Sequence, residues 1–383
     1  MLSAQEAAAR APRVLVAEDQ SDVLEALNIL LRSNGYEPEL VASPAAALGA
    51  LERSEYDAVL MDLNYRLDTT SGAEGLELID RIQQMGRSMP VVVMTAWGSI
   101  DLAVQAMHRG ACDFVEKPWD NRKLLGVLSE HIQRHGSEQR KRRAAEYELE
   151  DAARIQRRLL PGLLPQLPGI ELAAELRPAR LVGGDYYDAV LLGPGRLALC
   201  VGDVAGKGMP AALLMANLQA AVKLNGPSSS GPADLCSTLN RLVCENSTAE
   251  RFITFFYAVL NSTDRTFTYC NAGHNAPLLL NAAGEVSTLR AEDAVLGHFP
   301  NWRYNNRTLQ LRSGDRLVMF SDGVTEAEDS AAQQFGEEGV AEVLRCNRDA
   351  SADELRARIL SAVSDHCGSE FQDDVVLLVM AVA

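Results

Sequence analysis

From residue 13 to about residue 132, short and uniformly apolar runs alternate with amphipathic stretches. Val14-Leu15-Val16, Ala58-Val59-Leu60-Met61 and Val91-Val92-Val93-Met94 contain no polar position. Between them Val23–Arg32, Pro44–Leu51, Leu76–Gln83 and Ile100–His108 repeat apolar residues at helical spacing. A strand that is apolar at every position is covered on both faces. The pattern therefore predicts a doubly wound α/β layer, a parallel sheet with helices on each side. In such folds functional groups gather beyond the carboxyl ends of the strands.

The pattern changes over residues 133–162. Gln139-Arg140-Lys141-Arg142-Arg143 is basic, and Leu149, Ala152, Ile155 and Leu159 follow at three- and four-residue spacing. No Gly or Pro interrupts Ser137–Leu160, and Pro161-Gly162 ends the run. This predicts a linker helix with a narrow apolar stripe, suited either to a two-stranded coiled coil or to a solvated spacer. Residues 163–383 are strand-rich. Expected strands are Leu197–Val201, Phe252–Leu260, Thr266–Cys270, Leu278–Leu280, Arg316–Phe320 and Val375–Val382, with helices at Pro210–Leu224, Ala233–Cys244 and Ala352–Val363. Strands with segregated helices predict an α+β β-sandwich flanked by helices. The chain thus divides into domains at 13–132 and 163–383 joined by the linker.

Composition removes several classes of function. With 36 Lys+Arg against 52 Asp+Glu in 383 residues, the formal net charge is −16. A nucleic-acid partner needs clustered cations, so none is expected, and five basic linker residues read as a solvated face. The start of the chain lacks a continuous apolar segment, and Asn217 and Gln219 interrupt the most apolar window, Met209–Leu224, so no membrane insertion is expected. Seven scattered cysteines without a CxxC pair suggest reduced thiols and a cytoplasmic location.

Acidic residues sit where the first layer predicts function. Glu18-Asp19 follows the first apolar run, Asp62 follows Ala58–Met61, Thr95 follows Val91–Met94, and Lys117-Pro118 follows Asp113-Phe114-Val115. Three carboxylates at one sheet edge repel unless a hard divalent cation such as Mg2+ lies among them, while Lys117 and Thr95 offer a charge and a hydroxyl to a phosphoryl group. In order and spacing these residues resemble the receiver domain of two-component response regulators. The resemblance implies a five-stranded parallel sheet, Asp62 as phosphoacceptor, and Mg2+ held at Glu18, Asp19, Asp62 and the backbone carbonyl of Asn64. It also implies Thr95, Phe114 and Lys117 as switch residues and a histidine kinase as partner. The stretch from Asn64 to Gly75 exceeds the usual family turn by Asp68-Thr69-Thr70-Ser71-Gly72.

Four further aspartates lie at strand termini. Asp185 sits in Gly183-Gly184-Asp185-Tyr186-Tyr187-Asp188, Asp203 precedes Gly206-Lys207-Gly208, Asp322 precedes Gly323, and Asp373-Asp374 opens the last strand. Clustered at one edge, such acids call for two divalent ions, which clamp a phosphoryl group and generate hydroxide from water. Val201–Gly208 is not a phosphate loop: Val201 stands where its first Gly belongs, and Gly208 stands where the metal-binding Ser/Thr belongs. Together with Asn271-Ala272-Gly273-His274-Asn275 and Ser321-Asp322-Gly323-Val324-Thr325-Glu326, these motifs resemble the PPM, or PP2C-like, serine/threonine phosphatases of the bacterial sporulation- and stress-regulator type. The resemblance implies Asp185, Asp203, the Val204 carbonyl, Asp322 and Asp373 around two Mn2+ or Mg2+ ions. Val376 stands where the family usually has Thr, a change expected to act on strand packing.

Asp188 and Asp374 are open to outer-shell or backbone-capping roles, and Lys207 to phosphate contact or solvation. His274 is expected to be structural, and Glu326 has no assignable chemistry. Together the two resemblances imply a response regulator whose output is a metal-dependent protein phosphatase. The resemblance implies an anti-sigma-factor antagonist as phosphorylated substrate and a homodimer through receiver and linker. The alternative is a non-catalytic, phosphatase-like scaffold that sequesters a partner under receiver control. A DNA-binding output would need a helix-turn-helix and a basic face, and neither follows Pro161.

Overall fold

The structure is a computed structural model that describes residues 10–65, 72–96, 100–247, 250–290, 293–368 and 371–383. It comprises two compact units, divided after Ala145. The first runs β1 (Arg13–Ala17), α1 (Ser21–Ser33), β2 (Glu37–Val41), α2 (Pro44–Arg53), β3 (Ala58–Asp62), α3 (Ala73–Gln84), β4 (Val91–Ala96), α4 (Ile100–His108) and β5 (Asp113–Lys117), followed by the start of α5 (Asn121–Leu159). The sheet order is β2-β1-β3-β4-β5, parallel throughout. Alternate residues explain the apolar runs. Leu15, Val59, Met61, Val91 and Val93 pack under Leu51, Ile79, Ile82 and Ala106, while Val14, Val16, Leu60, Val92 and Met94 pack under Leu27, Leu31, Leu124 and Leu128.

The expected linker helix is continuous with the last helix of the first unit. α5 passes residues 132–133 without a break, because nothing between Asn121 and Leu159 removes a backbone donor, and it ends just before Pro161. Its packed face differs from the expected stripe. Leu149, Ala152 and Ala153 join Val182 and Ala212, whereas Ile155 is 60% exposed.

The second unit continues with β6 (Ile170–Arg177), β7 (Tyr186–Gly193), β8 (Arg196–Val204), α6 (Met209–Asn225), α7 (Pro232–Asn246), β9 (Ile253–Asn261), β10 (Thr266–Ala272), β11 (Leu278–Leu280), β12 (Val286–Thr288), β13 (Arg307–Gln310), β14 (Arg316–Phe320), α8 (Asp322–Thr325), α9 (Gly336–Cys346), α10 (Ala352–Cys367) and β15 (Val375–Val382). Two antiparallel five-stranded sheets, β13-β10-β9-β8-β7 and β12-β11-β14-β15-β6, face each other. Leu199, Val201, Phe256 and Phe267 of one sheet meet Leu317, Met319, Val376 and Leu378 of the other. Helices α6 and α7 cover the outer face of the first sheet, and α9 and α10 cover that of the second. Val376 lies inside the sandwich, which agrees with a packing role for that substitution.

Strands β11, β14 and β15 have the expected bounds, β8 and β10 extend beyond theirs, and β9 is displaced by one residue. β6 and β7 were not anticipated. Ile-Glu-Leu-Ala-Ala-Glu-Leu-Arg at 170–177 is composed largely of helix formers, yet it pairs with β15 along its full length. As an edge strand it turns Glu175 to Arg356 of α10 and Glu171 to the Ala352 N–H. Among the described residues no helix is long and apolar enough to cross a membrane.

Candidate functional site

Parallel register places the first acidic group at one sheet edge. Ala17 is level with Met61 and Asp62 with Met94, so Glu18-Asp19 and Asp62 emerge side by side. One carboxylate oxygen from each of Glu18, Asp19 and Asp62 lies within 4.8 Å of the others. Glu18 is fully buried and Asp62 is 4% exposed. Lys117 Nζ donates to Asp62 Oδ2 at 2.8 Å and to Glu18 Oε2 at 2.5 Å. Burial works against the ammonium charge, but the hydrogen bonds and charges of Asp62 and Glu18 hold the Lys117 pKa above its ordinary value. Burial pushes the Glu18 carboxyl up, with Lys117 opposing it.

The other expected residues of this constellation lie on or just after strands β3, β4 and β5. Thr95 is buried at the end of β4, beside the register position of Glu116. The Asn64 N–H donates to Asp62 Oδ1 at 3.3 Å, and Asn64 Oδ1 is buried without a partner. Phe114 lies on β5 and is 38% exposed. Asp68 to Ser71, the additional loop residues, lie outside the described residues. Gly75 was not singled out from sequence. A Cβ there would lie 2.5 Å from the Leu63 Cα, so only glycine lets α3 rest on the chain leaving Asp62. Three carboxylates facing one ammonium leave a surplus of negative charge on hard oxygen donors, which fits a divalent cation.

In the second unit four chain segments converge. A Cβ on Gly184 would lie 2.8 Å from the Val204 carbonyl oxygen, and one on Gly323 would lie 2.1 Å from the Asp374 carbonyl oxygen. Glycine at these positions lets the segments that carry Asp185, Asp203, Asp322 and Asp373-Asp374 approach without a side chain between them. Asp185 is buried and its Oδ2 has no partner. Burial, then the neighbouring Asp203 charge, raises its carboxyl well above the carboxylate range. Asp203 is raised by burial and by Asp373 and Asp374, and its bond with Asp185 opposes this. Asp322 is pushed up to about 6 by burial and then by Asp203, Glu326 and Asp373. Buried acids that resist ionisation together, one with an orphaned oxygen, fit a divalent cation.

Asp373 differs from the other three in being paired with a cation. Its Oδ2 accepts from Lys207 Nζ at 2.8 Å, and both side chains are about half exposed. Among the described residues of this unit no three acidic side chains offer oxygens within 4.8 Å of one another. Lys207 is thus ion-paired while remaining half exposed. Asp188 turns inward, accepting from Tyr186 Oη at 3.0 Å and pairing with Lys223 at 3.4 Å. Asp374 Oδ1 caps the Ala179 N–H at 2.8 Å. His274 Nδ1 lies 2.8 Å from Thr254 Oγ1, its Nε2 is buried without a partner, and burial lowers its pKa to about 4, which favours the neutral ring. A cavity of about 550 Å3 opens beside Asp185, lined in part by Gln156, Leu176, Arg180, Met215 and Asp374. Gln156 and Arg180 had no assigned role in the sequence, where the recurring signal was an acid at the end of a strand.

Comparison with known proteins supports both halves. A family model for the response regulator receiver domain matches residues 14–129, and one for Stage II sporulation protein E (SpoIIE) matches residues 193–383. Phosphoserine phosphatase RsbU of Bacillus subtilis is 32% identical over 236 residues, covering 61% of this chain and 69% of RsbU. The chain belongs to the SpoIIE-type, PP2C-like family and carries a receiver domain ahead of that domain.

Other similar proteins agree. Protein IcfG of Synechocystis is 28% identical over 259 residues, which span 60% of this chain and only 41% of IcfG. The structure of the RsbU and RsbW domains of Rv1364c from Mycobacterium tuberculosis matches with a TM-score of 0.51 and 27% identity, covering 58% of this chain and 63% of that one.

Proposed function

We propose that this protein is a response regulator in which phosphorylation of Asp62 controls a metal-dependent serine/threonine protein phosphatase. The observation that carries the second half is the convergence of glycine-flanked segments on Asp185, Asp203, Asp322 and Asp373, with Asp185 Oδ2 buried and unpartnered. In this reading Asp185, Asp203, the Val204 carbonyl, Asp322 and Asp373 hold two Mn2+ or Mg2+ ions. Such ions supply a hydroxide nucleophile at neutral pH and neutralise phosphoryl charge. Lys207 and Arg180, which line one small cavity with Asp203 and Asp373, orient the incoming phosphate ester.

In the receiver, an Asp62 carboxylate oxygen attacks the phosphorus of a phosphohistidine on a partner kinase as the P–N bond breaks. Lys117 stays paired with the acyl phosphate and the Thr95 hydroxyl donates to a phosphoryl oxygen; Glu18, Asp19, Asp62 and the Asn64 carbonyl would hold Mg2+, which would offset phosphoryl charge. Phe114 follows the phosphorylated state by exchanging its exposed position for a buried one. Similarity to a phosphoserine phosphatase supports a phosphoserine protein as substrate, and the family supports an anti-sigma-factor antagonist. The protein acts in the cytoplasm as a homodimer through receiver and linker, and the exposed Tyr147 and Ile155 of α5 favour self-association.

Two substitutions test this. Asp62→Ala abolishes phosphate incorporation from acetyl phosphate, and retention would remove the receiver assignment. Asp203→Asn abolishes Mn2+-dependent dephosphorylation, and retention would remove the two-metal assignment. The Lys207–Asp373 pair is the observation that favours a non-catalytic scaffold, since it engages one expected ligand. Turnover of p-nitrophenyl phosphate with Mn2+ by the full chain excludes that scaffold.

A further inference from the structure

The segment that carries Asp185 has a conformational problem. Gly184 is required by packing, because a Cβ there would lie 2.8 Å from the Val204 carbonyl oxygen, while a Cβ on Gly183 would lie 1.7 Å from Oδ2 of the Asp374 side chain and displace it. Two consecutive glycines are also the dipeptide with the greatest backbone freedom. Close approach therefore leaves the chain before Asp185 free to rotate unless another group holds it.

Gln156 supplies that group. Its Nε2 donates to the Gly183 carbonyl at 2.7 Å, and its Oε1 accepts from the Gly183 N–H at 3.2 Å. Both polar groups of one residue are thus engaged by the two ends of a single amide, which fixes the peptide planes on either side of Gly183. The helix presenting Gln156 is itself anchored. Ala153, three residues earlier on the same face, packs with Val182 and Ala212, and the Leu159 carbonyl accepts from Gln219 Nε2 at 3.0 Å. From the other side, Asp374 Oδ1 holds the Ala179 N–H at 2.8 Å. Two residues beyond the clamp lies Asp185 with its unpartnered Oδ2, and Gln156 and Asp185 line the same cavity.

We infer that Gln156 is a positioning residue that pre-orders the Gly183-Gly184-Asp185 segment for metal binding. The inference rests on the phosphatase reading for the identity of the site. Without the clamp, the segment must be ordered when the ion binds, so affinity falls while the fully loaded site remains the same. Partners that orient metal ligands carry roughly 10- to 100-fold in affinity or activity. Because Gln156 acts through backbone, about tenfold is expected.

The test uses the full chain with Mn2+ and p-nitrophenyl phosphate. In Gln156→Ala, half-saturating Mn2+ rises by about tenfold while the rate at saturating Mn2+ matches the parent. Gln156→Glu keeps the acceptor but sets a carboxylate oxygen against the Gly183 carbonyl, so it shifts the midpoint at least as far. Hydrogen exchange over 181–187, measured without metal, is faster in Gln156→Ala than in the parent and slows to the parent rate on Mn2+ addition. Midpoints equal to the parent's in both variants, or a reduced plateau with an unmoved midpoint, overturn the inference. A parent chain that turns over nothing at any Mn2+ concentration overturns the phosphatase reading instead. In that case the exchange experiment still decides the clamp: faster exchange supports it and equal exchange refutes it.

Discussion

Asp322 offers a direct measure of what it costs to assemble the second acidic site. Burial and the charges of Asp203, Glu326 and Asp373 move its carboxyl from an ordinary 3.8 to about 6. Between those values the metal-free folded state keeps a proton that the unfolded chain has released. The folded state then binds more protons, so this contribution to stability is complete below pH 3.8 and is lost as pH rises through about 6. At full burial the displacement corresponds to about 3 kcal/mol. Asp322 is only partly buried, and solvent screening brings the figure to about 1–2 kcal/mol. For a unit of this size that corresponds to about 2–8 °C in melting temperature.

The assay is calorimetric melting in EDTA at about pH 4 and about pH 7.5, comparing the parent with Asp322→Asn, which keeps the shape and removes the titration. The parent loses about 2–8 °C more than the variant between the two conditions, and the variant melts higher at the upper pH. Adding Mn2+ reverses that order, because a ligand that binds only the folded state stabilises the chain that binds it. Equal losses in both chains would refute the reasoning, as would an Asn variant that melts lower in EDTA at neutral pH.

Other substitutions probe the remaining geometry. Gly184→Ala forces a Cβ against the Val204 carbonyl at 2.8 Å. It destabilises the second unit by about 1–3 kcal/mol in urea unfolding, and a variant as stable as the parent would deny the close approach. Lys117→Met leaves Glu18 and Asp62 without their cation and lowers stability of the first unit in EDTA by about 3 kcal/mol, with partial recovery in Mg2+. Unchanged melting in EDTA would show that the ammonium contributes little to holding these acids.

Legibility of the sequence followed the range of the forces involved. Strands β1, β3 and β4 are apolar on both faces, so local pattern and final burial coincide, and Glu18, Asp62 and Thr95 could be placed by counting past them. β6 resisted because its Ala and Glu content favours helix, and its state is decided by pairing with β15 at the far end of the chain. On α5, Leu149 and Ala152 pack as the stripe predicts and Ile155 does not, for a related reason. The contact with Val182 is made by Ala153, a small residue that carries little weight in an apolar pattern, while the bulky Ile155 faces solvent. Lys207 finds its partner Asp373 at a separation of 166 positions, which no local motif encodes. Gln156 escaped because a polar side chain that serves backbone leaves no periodic trace.

The two acidic sites handle the same electrostatic problem in different ways. In the first unit Lys117 bonds both Glu18 and Asp62 and is held charged by them, so part of the repulsion is met by the chain itself. In the second, Asp185, Asp203, Asp322 and Asp374 all have carboxyls raised by burial, and the nearby Lys207 is half exposed and bound to Asp373. Folding without an ion therefore leaves the second group under repulsion that a divalent cation removes. Ion binding and fold stability are linked more tightly there than in the receiver. It follows that chelation lowers the melting of the unit Glu146–Ala383 more than that of the unit ending at Ala145. Unit-resolved hydrogen exchange with and without EDTA measures the difference, and a larger loss in the first unit would show that Lys117 does not offset the charge of its acids.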